Sequence, residues 1–138
     1  MIYEIIPEKI SSFLKEKFNL SDSQILLDGQ IPDDDIDVFV RLFWNYGIIK
    51  EYNNRYSETA DVFIIELYQK RTSSIQDNGD FAASLRSELF KNFNVIRDVN
   101  TMAKLRNISL NKNDNDTAWK GYSISLSFQM LNRRFPNE

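Results

Sequence analysis

Residues 121–130 alternate without a break: Tyr122, Ile124, Leu126, Phe128 and Met130 fall on one side, Ser123, Ser125, Ser127 and Gln129 on the other. Side chains alternate faces along a strand, so the pattern predicts a sheet with one face on a core and one polar face. That polar face carries hydroxyls and an amide rather than charges, which suits water, a ring lumen or another subunit. Two earlier segments differ. In residues 38–46, Val38, Val40, Leu42 and Trp44 alternate with Phe39, Arg41, Phe43 and Asn45, and residues 61–71 are likewise apolar on both sides. Such strands are central, or have a neighbour against the second face. The two are expected to pair as a hairpin across a long exposed connection, with the polar run 51–58 as a loop and Asn53-Asn54 as its turn.

Helical periodicity occurs twice. Pro7 and Glu8 are expected to open a first helix, with Ile6, Ile10, Phe13, Leu14 and Phe18 on one face and an end between Asn19 and Ser23. Asp80 is a natural N-cap for a second helix over residues 81–93, whose buried stripe is Ala82, Leu85, Leu89 and Phe93. A short strand at 24–27 closes at Asp28-Gly29. A less regular strand at 99–111 offers Leu105, Ile108 and Leu110 for burial, and a polar turn to residue 117 returns the chain. Residues 131–138, with Arg133-Arg134-Phe135-Pro136, read as a short C-terminal tail. The order α-β-β-β-α-β-β predicts an α+β fold: a single domain over residues 1–138, with two helices packed on one face of a mostly antiparallel sheet.

Composition narrows the function classes. With 42% hydrophobic and 13% aromatic residues in 138, the chain can bury a real core. A net charge of −3 supplies no global basic field for a phosphate backbone, which argues against nucleic-acid binding as the main activity. Without cysteine there is no disulfide and no thiolate metal site. The N-terminal residues lack the charge and apolar run of a signal peptide, and no apolar stretch approaches the roughly 20 residues that span a bilayer. A soluble, intracellular protein is expected.

Without histidine or cysteine, Ser–His–Asp and Cys–His catalysis are excluded. The run Asp33-Asp34-Asp35-Ile36-Asp37 is the candidate for a hard cation, yet it lacks the alternating spacing and the glycine of a calcium loop, and reads as a solvated acidic loop. Asn113-Asp114-Asn115-Asp116 likewise reads as a hairpin turn. Trp44, Tyr46, Tyr52 and Tyr56 form an aromatic group that could anchor a partner, stack on a ligand, or pack the sheet edge. Arg133 and Arg134 could reach the carboxylates of Asp33, Asp34, Asp35 and Asp37 on a next copy, or fray as a tail. No catalytic, cofactor or metal residue is assigned, and the chain is not expected to be an enzyme.

The opening amphipathic helix at 7–18, the paired strands at 38–46 and 61–71, the helix opening Gly79-Asp80-Phe81-Ala82-Ala83-Ser84-Leu85 and the closing strand at 122–130 together carry a resemblance. In length and element order the chain resembles the tail-terminator and head–tail joining (neck) proteins of long-tailed bacteriophages. The resemblance covers most of the chain and is one of pattern, without an invariant motif. It implies a virion protein at the tail–head neck, made in the host cytoplasm. Its subunits would form a ring, commonly a hexamer, that stops tube polymerisation and joins the tube to the head connector. It carries no catalytic residues and no cofactor, and implies passage of DNA without sequence-specific binding and no membrane partner. Ser123, Ser125, Ser127 and Gln129 are then candidates for a lumen or tube-facing surface. Two other classes stay open: a small-ligand or peptide-binding module built on the aromatics near Trp44, and a carboxylate-based, metal-dependent hydrolase built on residues 33–37.

Overall fold

The computed structural model describes residues 2–27, 29–45, 49–51, 56–70, 79–99, 101–113 and 119–133. The fold is α+β. Helix α1 (Ile2–Phe18) is followed by a 3-10 turn and strand β1 (Ile25–Leu27), then β2 (Val38–Asn45), β3 (Ile49–Glu51) and β4 (Tyr56–Lys70). Helix α2 (Gly79–Asn92) leads to β5 (Val95–Arg97), β6 (Thr101–Asn113) and β7 (Trp119–Arg133). These strands form one sheet in the order β1-β2-β4-β7-β6-β5, with β3 paired to β4. Only β1 and β2 run parallel; the other pairs are antiparallel.

Helix α1 begins before Pro7, contrary to the expectation that Pro7 opens it. Its buried stripe is Ile2, Ile6, Ile10 and Leu14, a strict four-residue repeat that starts at Ile2. Pro7 therefore lies inside the helix, where its missing N–H leaves the carbonyl of Tyr3 without an intrahelical donor. That carbonyl accepts instead from the indole N–H of Trp44 on β2, at 2.9 Å. A tertiary hydrogen bond thus replaces the helical one. Asn19, at φ 57°, ends the helix in the left-handed conformation, and Leu20 N–H returns to the Leu14 carbonyl at 3.4 Å.

The expected pairing of the second and third predicted strands is present, with Val38 opposite Gln69 through to Asn45 opposite Val62. Strand β4 is longer than its apolar run: Tyr56–Ser57–Glu58 and Glu51 are extended backbone, not loop, because β3 and β7 hydrogen-bond to that end of β4. Likewise residues 131–133 belong to β7 rather than to a tail, since they pair with Tyr56 to Glu58. In α2, Asp80 sits within the first turn rather than before it, where its carboxylate still faces the positive end of the helix dipole. The irregularity of β6 has a cause: the register against β7 shifts between Leu105 and Asn107. A bulge adds one residue, so the buried Leu105 and the half-buried Ile108 share a face although they are three apart.

Both helices lie on one face. Ile6, Ile10 and Leu14 of α1 and Ala82, Leu85 and Leu89 of α2 join Val40, Phe63, Ile65, Leu67, Ile124, Leu126 and Phe128 of the sheet in one buried cluster. Phe13 of α1 meets Phe93, just past α2, edge-on at 5.4 Å, and Phe18 of α1 meets Phe81 of α2 at 4.9 Å. Among the described residues, no helix is long and apolar enough to cross a membrane.

Candidate functional site

On β4 the inward residues Phe63, Ile65 and Leu67 are buried, and the alternate residues Val62, Ile64, Glu66 and Tyr68 are half-buried on the opposite face. That second face has no helix over it among the described residues. Register sets its composition. The row Phe43–Ile64–Ser125–Ser109 crosses from β2 through β4 and β7 to β6, next to Arg41–Glu66–Ser123–Asn111. A further row places Val62 beside Ser127 and Asn107. On the open face β2 and β4 therefore present the apolar Phe43, Ile64 and Val62 beside the charged Arg41 and Glu66, whereas β7 and β6 present hydroxyls and amides. Ser123, Ser125, Ser127 and Gln129 all lie on it, half-buried between neighbouring strands. Gln129 also accepts a hydrogen bond from Arg106 Nε at 2.5 Å.

An aromatic corner closes one end of this face. Phe39 stacks on Tyr68 with centroids 5.0 Å apart and meets Trp119 edge-on at 4.9 Å. The Arg41 guanidinium lies 5.6 Å from the Phe39 ring centre and Lys70 Nζ 5.7 Å from that of Trp119, within the range of cation–π attraction. This corner explains why β2 is apolar on both sides: Phe39 is buried by other strands of its own sheet, without a helix.

The Asp33–Asp37 segment leads into β2 with Asp33, Asp34, Asp35 and Asp37 exposed. Lys70, at the end of β4, ties it down: its Nζ lies 3.8 Å from the Asp37 carboxylate and donates to the Asp34 carbonyl, while its backbone N–H donates to Asp37 O at 2.9 Å. The backbone of Ile36 closes a turn on Asp33 at 3.1 Å. Among the described residues no three acidic side chains converge as a metal site would require.

Trp44 is on the core side. Its ring meets Tyr3 edge-on at 5.2 Å and Phe63 at 4.9 Å, and its N–H is committed to the Tyr3 carbonyl. Tyr46, Tyr52 and Arg134 lie outside the described residues, and Tyr56 and Arg133 are register partners at one end of the β4–β7 ladder. Asp61 was not singled out from sequence, yet it is fully buried and accepts from the Tyr3 hydroxyl. The signal was its phase: it stands two residues before Phe63, in step with Ile65 and Leu67.

The two edges of the sheet carry grooves. One, about 910 Å³, runs between α1 and β1 and is lined by Glu8, Lys15, Asp22, Leu27, Ile31 and Asp33 among others. The other, about 500 Å³, lies between α2 and β6 beyond the end of β5, lined by Arg86, Phe90, Lys91, Arg106 and Ile108 among others. Of these edge residues the sequence had singled out Asp33, as part of the acidic run, and Ile108, as a candidate for burial.

No protein-family model matches the sequence, and no curated protein does. Among solved structures, one whose name states no activity aligns over 97% of this chain and 94% of its own, with a TM-score of 0.67 at 15% identity. At that identity the likeness shows the fold alone.

Proposed function

We propose that this chain is a virion structural protein of a long-tailed bacteriophage, a tail-terminator or head–tail connector subunit. In this reading its copies form a ring, a hexamer as the family resemblance implies, that caps the tail tube and joins it to the head. The observation that carries the reading is the second face of the sheet, over which no helix lies among the described residues: apolar side chains around the cross-strand Arg41 and Glu66 on β2 and β4, hydroxyls and amides on β7 and β6. A surface of that composition suits packing against another protein on one half and a hydrated lumen or tube wall on the other. The exposed aspartates of residues 33–37 and the net charge of −3 suit a passage that DNA crosses without being gripped. The reading requires no catalytic residue, cofactor or membrane partner, and it places the mature protein at the neck of the virion after synthesis in the host cytoplasm. The competing reading, a ligand-binding module at Trp44, meets a Trp44 whose N–H and ring are already engaged by Tyr3 and Phe63.

The test is native mass across a concentration series, with negative-stain imaging, in the presence and absence of purified tail tubes. Closed rings of defined copy number, or subunits that cap tube ends, are expected. A strict monomer that ignores tube ends at every concentration would overturn the proposal.

A further inference from the structure

Five large apolar side chains are exposed among the described residues, and all five lie along the two edges of the sheet. Leu27 (58% exposed) and Ile31 (85%) flank β1; Phe90 (52%), Val95 (43%) and Val99 (91%) flank β5 and the free end of β6. Single exposed apolar residues are ordinary, but their confinement to two opposite edges is a pattern.

Charge separates the same two edges. Around β1 stand the exposed acids Glu8, Asp22, Asp33, Asp34, Asp35 and Asp37. The cations beside them are Lys15, paired to Asp22, Lys70, close to Asp37, and Arg41, which donates to the Gln30 carbonyl at 3.1 Å. Around β5 and β6 stand the exposed cations Arg86, Lys91, Arg97, Lys104 and Arg106. The acids among them are Glu88, 3.9 Å from Lys91, and Asp98, whose Oδ1 accepts from Val99 N–H at 2.8 Å. One edge is thus apolar with an acidic surround, the other apolar with a basic surround, and each has a groove between its helix and its outer strand.

We infer that copies of this chain associate head to tail, the acidic β1 edge of one docking on the basic β5–β6 edge of the next. Like edges facing each other would set acid against acid or base against base, which costs affinity, whereas unlike edges are complementary. Because every copy offers one edge of each kind, such a contact does not stop at two; it closes into a ring or extends as a filament. The inference deepens the ring reading above and rests on it for closure only.

The contact is made by side chains rather than by extending the sheet through β1. Leu27 N–H already accepts the Gln30 side chain as partner, donating to Oε1 at 2.7 Å, and Leu27 O accepts from Gln30 N–H at 3.1 Å. Gln30 thereby blocks strand addition at that point, a common protection of sheet edges, and leaves the Leu27 side chain exposed in the groove.

The experiment uses the full chain with Asp33→Lys on one edge or Arg86→Glu on the other, both at exposed positions, and light scattering with native mass spectrometry at low and high salt. Wild type is expected to form species larger than dimers that dissociate as salt rises. Each variant by itself should require at least about tenfold higher concentration to assemble, while melting as wild type does. An equimolar mixture of the two should recover assembly, since the reversed edges complement each other. Variants that form wild-type rings would overturn the contact and leave the ring reading standing. Open chains sensitive to both substitutions would uphold the contact and remove closure. A wild type that is monomeric at every concentration and salt would overturn the contact, and the ring reading would then be decided by whether the subunits cap tube ends.

Discussion

On the helix side of β4, Phe63, Ile65 and Leu67 are shut off from water; one residue along, Val62, Ile64 and Glu66 remain half-exposed on the other side. Strand β7 repeats the contrast, with Ile124, Leu126 and Phe128 inward and Ser123, Ser125 and Ser127 outward. The backbone and hydrogen bonding are the same for both sides, so the difference comes from what covers each. The inner face has two helices whose apolar stripes match it; among the described residues no helix covers the outer face. The inner face is therefore expected to hold the stability of the fold, and the outer face and edges to be free for contacts that assembly supplies.

The largest expected effect lies inside. Phe63→Ala should destabilise the protein by about 3–5 kcal/mol, because it opens a cavity where Trp44 and the core meet; chemical denaturation would measure it. Next is the bond that mends the helix at Pro7. Trp44→Phe should cost about 1–3 kcal/mol by leaving the Tyr3 carbonyl without its indole donor. Pro7→Ala restores an N–H to that turn, so it should stabilise the Trp44→Phe variant by about 1 kcal/mol more than it stabilises wild type. Equal gains in the two backgrounds would dissociate Pro7 from Trp44. Smaller again is Lys70→Ala: its ion pair with Asp37 is partly exposed, and a loss of at most about 1 kcal/mol is expected, decreasing with salt. Smallest is Ser125→Val on the open face, which should move unfolding by no more than about 0.5 kcal/mol. A much larger destabilisation there would show that the two faces are less different than their coverage implies.

Much of this contrast was legible along the chain. The serine alternation in residues 121–130 named the inner and outer faces of β7 correctly, because a strand has a period of two wherever it lies. Most of each helix's buried stripe was equally readable: Ile6, Ile10 and Leu14 in α1, and Ala82, Leu85 and Leu89 in α2. The start of α1 was not: Pro7 is a good first helical residue by local rules, and only a donor 37 positions away on β2 makes it tolerable in the interior. Strand β4 was read short for a similar reason. Residues 56–58 are polar, and they are extended because β3 and β7 pair with them, not because of their own propensities.

For the candidate surfaces the division is the same. Composition and pattern determined an α+β fold, the absence of histidine and cysteine chemistry, the acidic run at 33–37 and a polar face on the last strand, since each depends on residue type or on short-range periodicity. Only the tertiary structure decided that Asp61 is buried beneath the Tyr3 hydroxyl, that Trp44 belongs to the core, and that acids and bases collect on opposite edges of the sheet. Those facts depend on strand order and helix placement. They bring together residues far apart in the chain through burial and hydrogen bonding that no local pattern encodes.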